Sequence, residues 1–336
     1  MTNNRRAYLF CSFRTYRRIG LLLAGMFAVL GLMAHPAQAA DFPSRPVKLV
    51  VPFPPGGSSD IPARLLAQKL EQLWGQPVVV ENRAGATGTI GEAYVARSRP
   101  DGHTLLVGTS SSHTMGPYTI RDRPYDPVAD LRGVTLFAWV PHLIVVNPSL
   151  EVASVSELIR LAKEKPGELN YATSGHGSSV HLATEIFSRK AGLDMVQIPY
   201  RGVNPAAMAV ASGQTQLMFP PAIVALPHIE NGTLRALAIL SADKLPGLPE
   251  TPSTTEANLE GYEFSTWVGL LAPSATPDHI VDKIQADVAQ ILADPAVRQT
   301  LEEMSFTPAA TSPGEFDAII QREALEHQAL IAELGL

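Results

Sequence analysis

The sequence predicts an α/β protein of two lobes with a ligand cleft between them, and three observations carry that expectation. From Val47 onward, short β-rich runs alternate with helical stretches, the pattern of a parallel sheet covered on both faces. The chain has 336 residues, enough for two cores of ordinary domain size once an export leader is set aside. Two polar, glycine-bearing strand-to-helix junctions of one kind recur on different α/β units, where they can face each other across a cleft.

Residues 1–39 read as a signal peptide. Arg5, Arg6, Arg14, Arg17 and Arg18 form a basic lead, Ile19 to Met33 an apolar run, and Ala37-Gln38-Ala39 a small-x-small cleavage site. Arg17-Arg18 leaves both the general and the twin-arginine export routes open. No later stretch reaches the ~18 apolar residues of a membrane span, so the mature chain is expected to be soluble and periplasmic. The single cysteine, Cys11, lies in the leader, which excludes disulfides and thiolate metal sites from the mature chain. Removing the five leader arginines leaves 21 basic against 32 acidic side chains, a formal charge of −11. That argues against nucleic acid and anionic membranes as partners, but not against an anionic ligand, because helix N-termini bind anions without net positive charge.

The expected strands are Val47 to Val51, Val78 to Glu81, Thr104 to Val107, Leu143 to Val146, Met195 to Ile198, Gln216 to Phe219 and Ala236 to Leu240. The expected helices fill Asp60 to Trp74, Ile90 to Ser98, Val155 to Lys165, Ser179 to Ala191 and Ala206 to Ser212. The first helix sets Ile61, Leu65, Leu66, Leu70 and Leu73 on one stripe, as a sheet-packing helix must. After Pro273 only helices are expected: Pro277 to Ala293, Pro295 to Met304 and Pro313 to Leu334, a tail that returns over the first lobe. Arg121 to Asp130 and Leu245 to Gly261 read as irregular connectors.

The most informative segment is VVPFPPGGSSD, residues 50–60: an apolar strand enters a Pro/Gly turn, and Ser58, Ser59 and Asp60 open a helix. Such a junction aims backbone N–H groups at an anion above the sheet; it is equally readable as a turn whose serines only cap. The second junction is YATSGHGSSVH, residues 171–181. Its Gly175 and Gly177 lack the third glycine of a dinucleotide fingerprint, Val180 standing there, so no nucleotide cofactor is expected. A third loop, Thr109 to His113, follows an apolar strand and is dense in hydroxyls; it reads either as a ligand loop or as solvated surface. No GxSxG, HExxH or complete SxxK set occurs, and His176 and His181, five apart, do not share a helical face for a metal. The chain therefore reads as a binding protein and not an enzyme. The rival from another class is a signalling or scavenging module that binds a ligand but has no transporter, and a more distant one is a periplasmic hydrolase with His113 or His181 as base and a nearby serine.

Beyond these residues, VKLVVPFPPGGSSD, VVVENRAGATGTIG, PDGHTLL, YATSGHGSSVHLA, IPYRG, LPHI, LRALAILS and FSTWVGLLAPSATP occur in the order and spacing of the Bug-type solute receptors. These are also called the tripartite tricarboxylate transporter substrate-binding proteins, and the chain resembles them from Phe42 to its C-terminus. The resemblance implies a type II periplasmic-binding-protein fold closing on a small carboxylate, with no cofactor and no metal. It implies lobe 1 over residues 40–142 plus 265–336 and lobe 2 over residues 143–264. The ligand-facing residues it implies are Phe53, Pro55, Gly56, Gly57, Ser58 and Ser59, then Thr109, Ser110, Ser111 and His113, from the first lobe. From the second they are Ser174, Gly175, His176, Gly177, Ser178, Ser179, His181 and Pro220. A monomer serving the membrane carrier subunits of a tripartite transporter is implied, the alternative being a sensing module that serves a sensor kinase.

One departure bears on the ligand. Relatives often carry Asp after the Phe of the strand ending at Phe219, where this chain reads Phe219-Pro220-Pro221. Loss of an acidic group there disfavours an amino acid and favours a plain mono-, di- or tricarboxylate, including an aromatic one. Arg64 and Arg83 read as structural, and Arg201 as a candidate for the pocket rim.

Overall fold

The structure, a computed structural model, describes residues 42–120, 122–259 and 261–335. The predicted signal peptide lies outside these residues. The elements in chain order are β1 (Val47–Val51), α1 (Asp60–Trp74), β2 (Val78–Asn82), α2 (Thr89–Ala96), β3 (Thr104–Thr109), β4 (Leu131–Pro141), β5 (Leu143–Val146) and α3 (Val155–Glu164). They continue with β6 (Asn170–Thr173), α4 (Ser179–Ala191), β7 (Val196–Pro199), α5 (Val203–Ala211), β8 (Leu217–Met218), α6 (Ala222–Glu230) and β9 (Arg235–Ile239). The last are β10 (Ser265–Pro273), α7 (Asp278–Ala293), α8 (Pro295–Glu303), β11 (Thr307–Pro308) and α9 (Pro313–Leu334).

Two sheets result. One has six strands in the order β11-β4-β10-β3-β1-β2, the other five in the order β7-β6-β8-β5-β9. The expectation of parallel pairing is met only in part. β1 pairs in parallel with β2 and β3, and β6 with β7 and β8, but β10 is antiparallel to β3 and β4, and β5 is antiparallel to β8 and β9. The physical reason is that two segments cross between the sheets. β4 runs through the single residue His142 into β5, and β10 brings the chain back, so each reaches its sheet from the other sheet instead of after a covering helix.

His142 at this crossing is fully buried. Its Nδ1 pairs with the Phe219 carbonyl at 2.8 Å, its backbone N–H donates to Phe264 O at 3.2 Å, and its carbonyl accepts from Leu240 N at 2.8 Å. Burial pushes the imidazole down to about 4, so it is neutral at neutral pH.

Each sheet has its own core. The first gathers Val50, Leu106, Leu136, Trp267, Leu271, Phe316 and Ile320, with Trp267 and Phe316 edge to face at 4.9 Å. Gly269 admits that ring, since a Cβ there would lie 2.3 Å from Phe316 Cζ. The second core gathers Ile144, Leu158, Tyr171, Leu182, Phe187, Leu217, Phe219 and Phe264. The C-terminal tail differs from expectation in reach: α9 packs Phe316 and Ile320 into the first core and Ile331 into the second.

The buried face of α1 is also shifted from the predicted stripe, to Ala63, Leu66, Ala67 and Leu70, leaving Leu73 exposed. Small alanines let this helix sit close on the sheet, and a stripe counted from large residues misses them. Both predicted connectors hold neither helix nor strand among their described residues.

Candidate functional site

The carboxyl ends of β1 and β3 and the N-terminal ends of α1, α4, α5 and α6 converge on one small cavity of about 60 Å³. The first wall is the turn after β1. Phe53, Pro55, Gly57, Ser58 and Ser59, all in the expected ligand-facing set, line the cavity, and Pro54 joins them. Ser59 makes no side-chain capping bond, so the capping-only reading of this junction is not what the chain does.

Gly56, also in the expected set, does not line the cavity. Its φ of +77° favours glycine, and its N–H donates to Asp60 Oδ2 at 2.9 Å. Asp60 is the anchor of the turn: its buried carboxylate also accepts from Arg64 Nε and Nη2, each at 2.9 Å, and from Asn82 Nδ2 at 2.8 Å. Asn82 donates in addition to Phe53 O at 3.0 Å. Burial raises the Asp60 carboxyl, but the Arg64, Gly56 and Asn82 donors outweigh it and hold the group below the usual carboxylate range. Arg64 therefore serves the turn and not the ligand, and Arg83, paired with Glu81 and lying 3.6 Å from the Tyr94 ring centre, is likewise structural.

The second wall is the segment after β3, which winds into a wide helical turn over Ser111–Met115 where a loop was expected. Thr109 and Ser111 line the cavity; Ser110 and His113 do not. Ser110 Oγ accepts from Trp267 N at 3.1 Å. The His113 side chain is wholly buried, with Nδ1 2.9 Å from Glu92 Oε2, because the helical winding turns it toward α2.

From the other sheet, Ser174 and Ser179 line the cavity with Val180, while Gly175 lines only an outer depression. His176, Gly177, Ser178 and His181 line neither. Ser178 caps α4, accepting from His181 N at 3.3 Å, and Gly177 N–H donates to His181 Nδ1 at 3.1 Å. These contacts use Gly177, Ser178 and His181 to build the helix start. Burial, with the neighbouring His176, pushes His181 down to about 4. The hydrolase reading thus finds neither of its two candidate bases in the cavity wall. Pro220 is displaced by one residue: its carbonyl accepts from Leu143 N at 2.9 Å in the crossing, and Pro221 lines the cavity instead.

Sequence reasoning missed Gly202, Val203, Asn204 and Pro205, a third strand-to-helix junction of the same kind, and Thr266 on β10. The signal was present in IPYRG followed by VNP, where a glycine at φ +119° starts α5. Arg201, the rim candidate, lines the outer depression of about 490 Å³, which shares Phe53, Pro54, Ser174 and Gly202 with the inner cavity.

The walls touch. Ser179 N donates to Ser111 Oγ at 3.1 Å, Asn204 Nδ2 to Gly56 O at 3.2 Å, and Thr87 Oγ1 to His176 O at 3.3 Å. Among the described residues, those lining the inner cavity include no Lys, Arg, His, Asp or Glu. What it offers is hydroxyls, an amide, backbone at four helix starts and apolar surface from Phe53, Val180, Val203 and proline rings. Such a site stabilises an anion through neutral donors and helix dipoles, and gives an ammonium group no counter-charge.

The family described as "Tripartite tricarboxylate transporter family receptor" matches residues 62–336. Protein BugT of Bordetella pertussis is 36% identical over 316 residues, covering 94% of this chain and 97% of that protein. The structure of R. palustris Rpa4515 with adipate is 36% identical with a TM-score of 0.84, covering 88% of this chain and 99% of that one. MatC (Rpa3494) from Rhodopseudomonas palustris with bound malate is 31% identical with a TM-score of 0.80, covering 86% and 100%.

Proposed function

Since the chain belongs to the tripartite tricarboxylate transporter receptor family, we propose that it captures a small organic carboxylate in the inner cavity and delivers it to membrane carrier subunits. As a member of this family of binding proteins it is a periplasmic receptor. The observation that carries the ligand reading is the ring of four helix starts around a cavity lined, among the described residues, without a charged side chain. A hydrogen bond to a charged group contributes about 1.5–3 kcal/mol, so three to five such bonds to a carboxylate reach the ~8 kcal/mol of micromolar affinity once ordering costs are met. One relative is seen with adipate and another with malate, which supports a plain carboxylate here. The lack of an acidic lining residue sets amino acids apart from it.

The lobes of this reading are residues 40–142 plus 265–336 and residues 143–264, hinged where β4 passes through His142. A cavity of about 60 Å³ falls well below the ~300 Å³ at the lower end of ligand pockets, and with the walls bonded to each other it corresponds to a closed form. Ligand enters when these bonds part, and closure around it strengthens polar contacts by excluding water. Export on a leader cleaved after Ala39, and a monomeric mature chain, complete the proposal.

Calorimetric titration of residues 40–336 with adipate, malate, citrate, benzoate, succinate, glutarate, aspartate and glutamate tests it. Binding of a plain carboxylate with aspartate and glutamate at least tenfold weaker than their unaminated counterparts is expected. Tighter binding of the amino acids would overturn the ligand reading, and no binding of any anion would overturn the site.

A further inference from the structure

The ligand-facing turn after β3 stands on two buried glutamates. Glu92 of α2, fully buried, meets His113 Nδ1 at 2.9 Å and accepts from Tyr125 Oη at 2.8 Å. Glu323 of α9, nine-tenths buried, accepts from Trp267 Nε1 at 2.7 Å and from Thr114 Oγ1 at 3.1 Å. Thr114 lies within the turn, and Trp267 N–H holds Ser110 Oγ at its start. The far side of the same turn presents Ser111 to the cavity, where its hydroxyl accepts from Ser179 N at the opposite wall.

We propose that Glu323 is a positioning residue for ligand capture: reaching in from the C-terminal helix, its carboxylate fixes the Ser110–Met115 turn in the form that presents Thr109 and Ser111 to the cavity. The proposal rests on the receptor reading. A carboxylate suits the task because it accepts an indole N–H and a hydroxyl at once, one from β10 and one from the turn, and so ties the turn to the crossing strand. A hydrophobic residue would fill the space and leave both donors unpaired.

The test compares Glu323→Met, which removes the acceptor at similar length, and Thr114→Val with Ile320→Ala, which removes first-core packing from the same helix. Amide hydrogen exchange over residues 110–116 in the ligand-free chain is one readout; the other is the Kd for adipate, or for malate if the wild-type chain binds it better. Glu323→Met and Thr114→Val are both expected to speed exchange in the turn and to raise Kd by about tenfold, the effect of losing the bond between the turn and Glu323. Ile320→Ala is expected to lower Tm at least as much while leaving both readouts within about twofold, less than half a kilocalorie by the tenfold rule. Unchanged exchange and Kd in Glu323→Met and Thr114→Val, or the same changes in Ile320→Ala, would overturn the proposal. If the wild-type chain binds neither diacid, Kd is read with whichever carboxylate of the titration panel binds; if none binds, the receptor reading fails, while the exchange readout still decides whether Glu323 holds the turn.

Discussion

Replacing Asp60 with Asn tests whether one buried carboxylate builds the first wall of the cavity. In the wild-type chain its two oxygens accept from four donors: Gly56 N, Arg64 Nε, Arg64 Nη2 and Asn82 Nδ2. The amide keeps one oxygen and turns an NH₂ toward two of those donors. Arg64 is half exposed and recovers water, so its share is small. The loss therefore concentrates on Gly56 N–H and Asn82, and one bond to a charged acceptor with its desolvation comes to about 2 kcal/mol. At roughly 2–4 °C per kcal/mol, Tm falls by about 4–8 °C. Because the folded-state carboxyl is held below its ordinary value, its stabilisation is fully present above about pH 4 and is lost as pH falls through the lowered value. Urea denaturation of both proteins at pH 7, 5 and 3 reads the gap. It is expected to hold from pH 7 to 5 and to narrow at pH 3, with a weaker Kd for ligand at pH 7, since Phe53, Ser58 and Ser59 hang on this anchor. Equal stability at pH 7, or a gap that stays constant down to pH 3, would refute the reasoning.

Burial holds His142, His181 and His327 each at about 4, so the unfolded chain binds protons that the folded chain refuses. Stability is therefore expected to fall as pH drops from 6.5 toward 4, by up to ~1.4 kcal/mol per pH unit for each histidine, and His327→Gln should reduce the slope by about one proton in denaturation series. Gly269→Ala would press a Cβ to 2.3 Å from the buried Phe316 ring and should cost about 3 kcal/mol, whereas Gly314→Ala, with nothing within 4 Å of its Cβ, should stay within ~0.5 kcal/mol in urea unfolding. Pro221→Asp places an anion in the cavity wall at a helix N-cap that tolerates it, and is expected to weaken diacid binding by more than ~10-fold while sparing amino-acid ligands, as titration would show.

What was legible in the sequence, and what was not, divides along physical lines. Strands such as Val47–Val51 and helices such as Pro313–Leu334 announce themselves through apolar runs, proline starts and caps, and the structure places them within a residue or so of expectation. β4 and β10 did not, because LRGVTLFAWVP and STWVGLLAP are buried along nearly their whole length and show no period-2 alternation. α6 was hidden by Pro227 inside it. At the site, residues exposed to the cavity through turn geometry, Ser58, Ser59 and Ser179 among them, were readable from strand-glycine-helix junctions, and Ser111 from a hydroxyl-dense loop after a strand. Those assigned by motif alone divided according to local winding. His113 and His181 sit in the right segments but face inward, since a helical turn directs only some of its side chains to one side. The Gly202–Pro205 junction was passed over because it lacks serines, although a helix start presents N–H groups whatever side chains it carries.

The central claim is that neutral donors at helix starts, and not a cationic side chain, hold the ligand carboxylate. The structure of the complex with the tightest-binding diacid tests it most directly. The expected result places carboxylate oxygens about 2.7–3.2 Å from hydroxyl and backbone N–H donors of the segments at Ser58, Ser111, Ser179 and Val203, with no Lys or Arg within ~4 Å of that carboxylate. A carboxylate clamped by Arg201 in the outer depression, with the inner cavity unchanged, would contradict it.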